Sequence, residues 1–502
     1  MVYPVNNVAS EEVQKAIETL IEAGFSVSPG VVEILLESEN PLRIANIILQ
    51  KVEYMKEKPA KIEPELLKET ITKESLALFI PEMEPKEDWD FVKADTQNYT
   101  HGLHPYPARM IPQIAHRLIE RYSSPYDLIL DPFCGSGTVL VEAKLMRSHE
   151  DSKPDLPRHV IGNDINPLAL LLAKVKSRPI EPSKLDEQIT SLLTKIENDI
   201  MQLKNGKFEV EIPTEKNFPN LKHWFKDYVI KELSVIRKNI DLIPDNIIRD
   251  FAKVCFSLTV RKVSNIYNAG DTFIKRLSSD KLKKYKPDVL KTFKTYMREA
   301  ALQIKAFSRL CYMDADVNVT FADARDLPFA SESIDLIVTS PPYGEERNTI
   351  SYTRWSKLSS LWLGYDTSFI RRIEKASLGG KDDPQLQTPS QTLNEILNET
   401  SNKDKELARA AATFFRDYYK SLEEMYRVLR RGCYCCIVIG NRSLKRRRIP
   451  MDLITKEFAE KIGFQHEKTY YRRIPTKAIP WICAKGETIA CENIIILRKG
   501  AT

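Results

Sequence analysis

Five short apolar runs punctuate the chain: Leu128-Ile129-Leu130, Val160-Ile161, Val317 to Phe321, Leu336-Ile337-Val338 and Cys435 to Ile439. Each is closely followed by Gly, Asp, Asn or Ser, and helical stretches separate them. That alternation predicts an α/β fold around a mostly parallel sheet, with the site built from loops at strand C-termini. Before it, Val13, Ile17, Leu20 and Ile21, then Val32, Ile34, Leu35 and Leu36, recur at helical spacing and predict an appended helical module over residues 1–83. The charged segment Glu84 to Thr100, with Pro85 near its start, suits a linker or an ordered strap. The α/β part falls into two halves, 84–181 and 315–502. Between them lies a Lys- and Leu-rich helical insertion, 182–314, longer than one crossover requires. A second insertion, 344–412, precedes the helix at Phe414, and its polar stretch Thr388 to Lys405 predicts a mobile loop.

Composition narrows the classes without choosing among them. A chain of 502 residues, 42% hydrophobic and 29% charged, can bury one large core or two to three ordinary domains. No apolar run approaches bilayer length, and Met1 to Asn7 lacks the basic and apolar regions of a signal peptide, so the cytoplasm is the expected compartment. The net charge of +6 is small for this size, so a polyanionic partner must meet local basic patches rather than a uniform field. Of the eight cysteines, Cys433 and Cys436 form one Cys-x-x-Cys spacing with no second pair, so neither a disulfide framework nor a metal site is expected. Cys433, Cys435 and Cys436 read as small buried hydrophobes on or beside a strand, and Cys134 as structural.

The first chemical signal is Asp131-Pro132-Phe133-Cys134-Gly135-Ser136-Gly137-Thr138, which links an apolar strand to a helix. Two glycines allow close backbone approach to a ligand, and the helix start offers unpaired N–H groups to a carboxylate. A nucleotide-like cofactor with an amino-acid tail suits both. Asp164 ends the next apolar run, where a carboxylate can accept from two ribose hydroxyls. No Lys-[Ser/Thr] closes the first loop, which argues against a phosphate-cradling P-loop.

Taken together, these motifs resemble the DNA amino-methyltransferase family, which modifies exocyclic nitrogens of cytosine and adenine. Residues 131–138 match its first motif completely, and His104-Pro105-Tyr106-Pro107-Ala108-Arg109 looks like its His-Pro cofactor motif. Asp323 sits where the family places the acid that meets the cofactor's adenine. The resemblance covers roughly residues 98–180 and 315–500. It implies a Rossmann-like S-adenosylmethionine-dependent methyltransferase fold, with the N-terminal module and helical insertions as additions. It also implies S-adenosylmethionine as cofactor, held by His104, Pro105, Asp131, Phe133, Gly135, Gly137, Thr138, Asp164 and Asp323. The implied partner is double-stranded DNA with its target base flipped out, and a companion restriction endonuclease is a further expected partner.

The sharper signal is Thr339-Ser340-Pro341-Pro342-Tyr343, directly after an apolar strand. Two prolines fix the backbone and remove two donors, leaving the carbonyls of Ser340 and Pro341 as acceptors. An acceptor pair suits an amino group, because accepting both N–H bonds localises the nitrogen lone pair and raises its nucleophilicity. Ser340, Pro341, Pro342 and Tyr343 are therefore the expected catalytic residues, with Tyr343 stacking on the base. In the family, Ser at the first place of this motif accompanies cytosine N4 more often than adenine N6. Cytosine C5 chemistry needs a Pro-Cys nucleophile, and the chain has none.

Three basic clusters are candidates for phosphate contact. Arg442, Lys445, Arg446, Arg447 and Arg448 follow the strand ending at Gly440; Arg472, Arg473 and Lys477 lie near the C-terminus; Lys281, Lys283, Lys284 and Lys286 bracket Tyr285. The first two are expected to flank the site, and His101 and His116 to serve packing or hydrogen bonding. Site-specific DNA methylation at cytosine N4 is the favoured reading. The alternatives are adenine N6 in DNA, a guanine N2 or adenine N6 activity on RNA, and a catalytically silent nucleic-acid-binding subunit.

Overall fold

All five apolar runs become strands of one sheet, and two further strands complete it. In chain order they are β1 (Leu128–Asp131), β2 (His159–Asp164), β3 (Val317–Phe321), β4 (Ile334–Thr339), β5 (Leu429–Gly440), β6 (Phe464–Arg473) and β7 (Cys491–Lys499). Their spatial order is β3-β2-β1-β4-β5-β7-β6. The first five run in parallel, and β7 lies antiparallel between β5 and β6. Chain order reverses between β1 and β4, and that switch point opens a crevice at the strand C-termini. The computed structural model describes residues 87–145, 158–267, 275–313, 315–344, 351–381, 383–444, 447–474 and 491–501, with backbone alone at 482–483 and 486–487. The chain divides into two units, 1–87 and 88–502. The helical module expected over 1–83 lies outside the described residues.

Strict alternation along β5 sorts its side chains between two cores. Cys435, Ile437 and Ile439 pack with Phe414, Phe415 and Tyr418 of the long helix Lys405–Val428, while Cys436 and Val438 pack with Ile114 and Leu118 of the helix Pro112–Tyr122. The two adjacent cysteines therefore point to opposite faces, and both are fully buried. Burial alone pushes the Cys435 thiol far above its ordinary range.

Four long helices lie between Pro182 and Ser308, ahead of β3. Pro182–Lys204, Asp227–Asp241, Asn246–Val263 and Val289–Ser308 share a core built from Ile196, Leu233, Phe251 and Phe293. Trp355 and Trp362, from the helix Tyr352–Trp362 of the second insertion, complete that core. The segment Thr388 to Lys405, expected as a mobile loop, is instead the helix Gln391–Lys403. Gln391, Glu395, Asn398, Glu399, Asn402 and Lys403 face outward, while Leu393, Ile396, Leu397 and Thr400 are buried at i, i+3, i+4 and i+7. Ser390 caps its start by accepting from the Leu393 N–H at 2.9 Å. The segment after Glu87 behaves as an ordered strap: Trp89 is buried against Tyr470 of β6 at 4.8 Å between ring centroids.

Gly137 begins the helix Thr138–Lys144 with φ at 86°, and a Cβ there would lie 2.7 Å from the Ala173 Cα. Its missing side chain lets that helix pack against Pro167–Lys176. Gly137→Val should therefore destabilise the folded chain by about 2–5 kcal/mol, combining left-handed backbone strain with overpacking. Denaturant unfolding of the variant beside the parent checks this, and a loss under about 1 kcal/mol would refute it.

Candidate active site

Two motifs distant in sequence meet across the switch point. Asp131 ends β1 and is 3% exposed; its Oδ1 accepts from Thr339 Oγ1 at 2.7 Å and from the Phe133 N–H at 3.1 Å. Thr339 ends β4 and immediately precedes Ser340. Burial pushes the Asp131 carboxyl up to about 7. The loop after β1 is pinned to β2 as well, through Cys134 N–H to the Asn163 carbonyl at 2.9 Å. Asp164 ends β2, where its two oxygens accept from the backbone N–H groups of Gly135 at 3.0 Å and Asn166 at 2.8 Å. Burial raises this carboxyl to about 6.

Beyond β3, Asp323 is held in a fork by Arg325, with Nε to Oδ1 at 2.9 Å and Nη2 to Oδ2 at 2.6 Å. Burial opposes ionisation of Asp323, but the Arg325 bonds outweigh it and hold the carboxyl below its usual range. Arg325 also reaches Asp417 at 2.7 Å and the Ala376 carbonyl at 2.7 Å, tying the helix Thr367–Ala376 to this corner.

These groups line one cleft of ≈ 1020 Å³, counting its solvent-open mouth. Asp131, Phe133, Gly135, Thr138, Asp164 and Asp323 face it, and so do Ser340 and Pro342 of the second motif. Gly135, at φ 49°, has room for no side chain without crowding the Tyr106 ring, which would stand 3.2 Å from an added Cβ. The cleft fits S-adenosylmethionine: apolar walls from Phe133, Ile165, Ile373 and Leu378 can bracket a purine, and carboxylates at the ends of β2 and β3 can accept hydrogen bonds.

Other expected site residues lie elsewhere. His104 is fully buried behind the cleft, its Nε2 2.9 Å from Ser257 Oγ and its ring edge-on to Trp355. Burial lowers its pKa to about 3, so the ring stays neutral. Pro105 is exposed outside the cleft, whereas Tyr106 to Met110 of the same motif line it. Tyr343 turns away from the lining; its ring packs on the core beneath β5, and its hydroxyl donates to Glu492 Oε1 at 3.0 Å. His101 and His116 both bond Glu142, at 2.6 and 2.9 Å, in a buried cluster behind the first loop.

The basic clusters separate by burial. Arg442 is 6% exposed over the Phe414 ring, and Arg472 is 8% exposed and ion-paired with Glu492, so neither presents a cation to a DNA backbone. Arg447 pairs with Glu399 and stays exposed, Arg448 is half-buried beside it, and Arg473 is exposed near Asp90. Lys445, Arg446 and Lys477 lie outside the described residues. Sequence reasoning missed Arg325 and Glu492. The Asp-x-Arg spacing was a usable signal for Arg325, but nothing near Glu492 in the chain marks it.

This sheet order, with a loop-bearing β1 and acids closing β2 and β3, defines a Rossmann-like S-adenosylmethionine-dependent methyltransferase. Comparisons with known proteins narrow the class. The DNA methylase family matches over residues 34–174. The type II methyltransferase M.MvaI of Kocuria varians is 32% identical over 414 residues, 78% of this chain and 87% of that one. The type II methyltransferase M.BsoBI of Geobacillus stearothermophilus is 25% identical over 75% of this chain and 81% of its own. A SAM-dependent methyltransferase from Methanosarcina mazei superposes with TM-score 0.27 at 11% identity, covering 77% of this chain and 98% of that one. The chain belongs to the type II DNA methyltransferases of the N4/N6 amino-methyltransferase family, and its cofactor is S-adenosylmethionine.

Because burial lifts Asp164 to about 6, its charge is lost within an accessible pH range. The ionised form accepts from hydroxyls; the protonated form gives up acceptor capacity. Cofactor affinity should therefore fall as pH drops below 6, by up to about tenfold per unit. Asp164→Asn should bind more weakly at pH 8 and lack that additional slope. Calorimetric titration across pH 5–8 checks both, and parallel pH profiles for the variant and the parent would count against the assignment.

Proposed function

We propose that the chain methylates the N4 amino group of cytosine in DNA. One observation supports this reading: Ser340 and Pro342 face the same cleft as Asp131, Asp164 and Asp323, so the motif suited to an amino group shares the cleft proposed for the cofactor. When bound, S-adenosylmethionine supplies an electrophilic sulfonium methyl. The chain's own residues position and polarise the partner. Pro341 and Pro342 offer no N–H, so the Ser340 hydroxyl and the adjoining carbonyls act as acceptors that draw on the amino hydrogens. Phe133, Gly135, Asp164 and Asp323 hold the cofactor, while Asp131 keeps the two loops together. His104 shapes the loop that carries Tyr106 and Arg109.

A base must leave the duplex to reach this cleft. The substrate follows from the same chemistry, and the helical insertion at 182–314 supplies surface for reading a target sequence. A companion endonuclease that cuts the unmethylated site is the proposed functional partner.

Ser340 favours cytosine over adenine in this reading. Mass spectrometry of nucleosides from DNA incubated with the purified chain should show N4-methylcytosine. Ser340→Ala should slow turnover more than it weakens cofactor binding. N6-methyladenine alone would overturn the base assignment, and label found only in RNA would overturn the substrate class.

Phosphate contacts are assigned to Arg447, Arg448 and Arg473, which are not buried as Arg442 and Arg472 are. Replacing all three by Ala should weaken binding to unrelated DNA sequences alike and flatten the salt dependence by about two to three units of slope. A parental slope in the triple variant would mark these arginines as solvated surface only.

A further inference from the structure

Behind Ser340 a line of polar groups leads away from the cleft. Ser340 Oγ lies 3.4 Å from Tyr343 Oη, a long contact, and Tyr343 Oη lies 3.0 Å from Glu492 Oε1. Glu492 Oε2 in turn takes a hydrogen bond from Arg472 Nη1. The side chains of Arg472 and Glu492 are only 9% and 16% exposed, and neither residue lines the cleft. Arg472 and Glu492 face each other across β6 and β7, and Glu492 faces Gly440 of β5 on its other side.

The direction of each bond follows from which groups own protons. Arg472 is a permanent cation and only donates. The Glu492 carboxylate beside it accepts, from Arg472 through Oε2 and from Tyr343 through Oε1. Tyr343 must then point its one hydrogen at Glu492, which turns its oxygen lone pairs toward Ser340. Burial, and next the charge of Glu492, push the Tyr343 hydroxyl well above its ordinary range, so that hydrogen is retained. Ser340 has one hydrogen and two lone pairs; with the hydrogen given to Tyr343, what remains for the cleft is acceptor capacity.

We propose that the buried Glu492–Arg472 pair sets the hydrogen-bond polarity of Ser340, locking it as an acceptor for the target amino group and against a ring carbonyl. This rests on the amino-methyltransferase reading of the Ser340 motif and adds a specificity device to it. An acceptor-only Ser340 matches the amino group of cytosine and repels the carbonyl that thymine or uracil carries at the same ring position. Glu492 and Arg472 are positioning residues in this account, acting through Tyr343.

Glu492→Gln is the direct test, because the amide keeps the shape but can donate to Tyr343 and release the polarity. Its kcat on DNA should fall about tenfold or more, with the KM for S-adenosylmethionine within about twofold of the parent. Tyr343→Phe leaves the ion pair in place yet breaks the same line, and should lose kcat to a similar degree. Adding Glu492→Gln to Tyr343→Phe should cost little more, since both act through one connection. A Glu492→Gln chain as fast as an active parent overturns the inference alone, and so do losses that multiply in the double variant. Should Glu492→Gln not fold, Tyr343→Phe decides: parental kcat there overturns the inference. A parent that methylates no DNA overturns the amino-methyltransferase reading and this inference with it.

Discussion

The hydrogen bond from Thr339 to the buried Asp131 carboxyl joins the two halves of the chemistry. Asp131 closes the strand that delivers the Gly-bearing loop, and Thr339 closes the strand that delivers Ser340 and its prolines. A buried bond of this kind is worth about 1 kcal/mol net when made, and breaking one partner leaves a buried acid that costs more. Its structural effect is larger than that energy. With β1 and β4 adjacent in the sheet, it fixes the separation of the cofactor loop and the amino-binding loop at the point where the chain order reverses.

Buried polar groups secure the walls of the same cleft. Lys176 is almost wholly buried, and its Nζ donates to the carbonyls of His101 and His104 at 3.2 and 3.3 Å. Burial pushes it well below the usual lysine range, a cost that its bonds to the turn Tyr99–Leu103 and beyond must offset. Arg109 donates to the His101 carbonyl from the other side. The segment carrying Tyr106 to the cleft is thus anchored by buried basic side chains that bind its backbone. Arg325 plays the matching part on the far side, joining Asp323, Asp417 and Ala376 in one junction.

The reversed seventh strand extends this logic. Because β7 runs against its neighbours, its first residues, not its last, stand at the catalytic edge, and Glu492 arrives there beside the end of β6. Tyr343 consequently meets a carboxylate nearly 150 positions away in the chain. A residue that reads as a surface cation in sequence, Arg472, becomes the buried counter-ion of that carboxylate. The fold therefore changes the chemical meaning of residues whose type alone suggested DNA contact.

Local pattern was enough to place the strands β1 to β5, the loop Asp131 to Thr138 that follows β1, Asp164 at the end of β2, and the motif from Ser340 to Tyr343 directly after β4. Each of these depends on spacing within a few residues, where backbone geometry and side-chain period act directly. The sequence could not separate helix from loop at Gln391–Lys403, because its buried stripe is narrow and only packing against the long helix that follows shows which residues face inward. Nor could it show that Gly137 serves Ala173, that His104 lies behind the cleft, or that Arg442 and Arg472 are buried. Those outcomes rest on contacts between segments far apart in the chain. Whether a charge meets solvent, a phosphate or a buried carboxylate is decided by what the sheet brings beside it, and that is a property of strand order rather than of neighbouring residues.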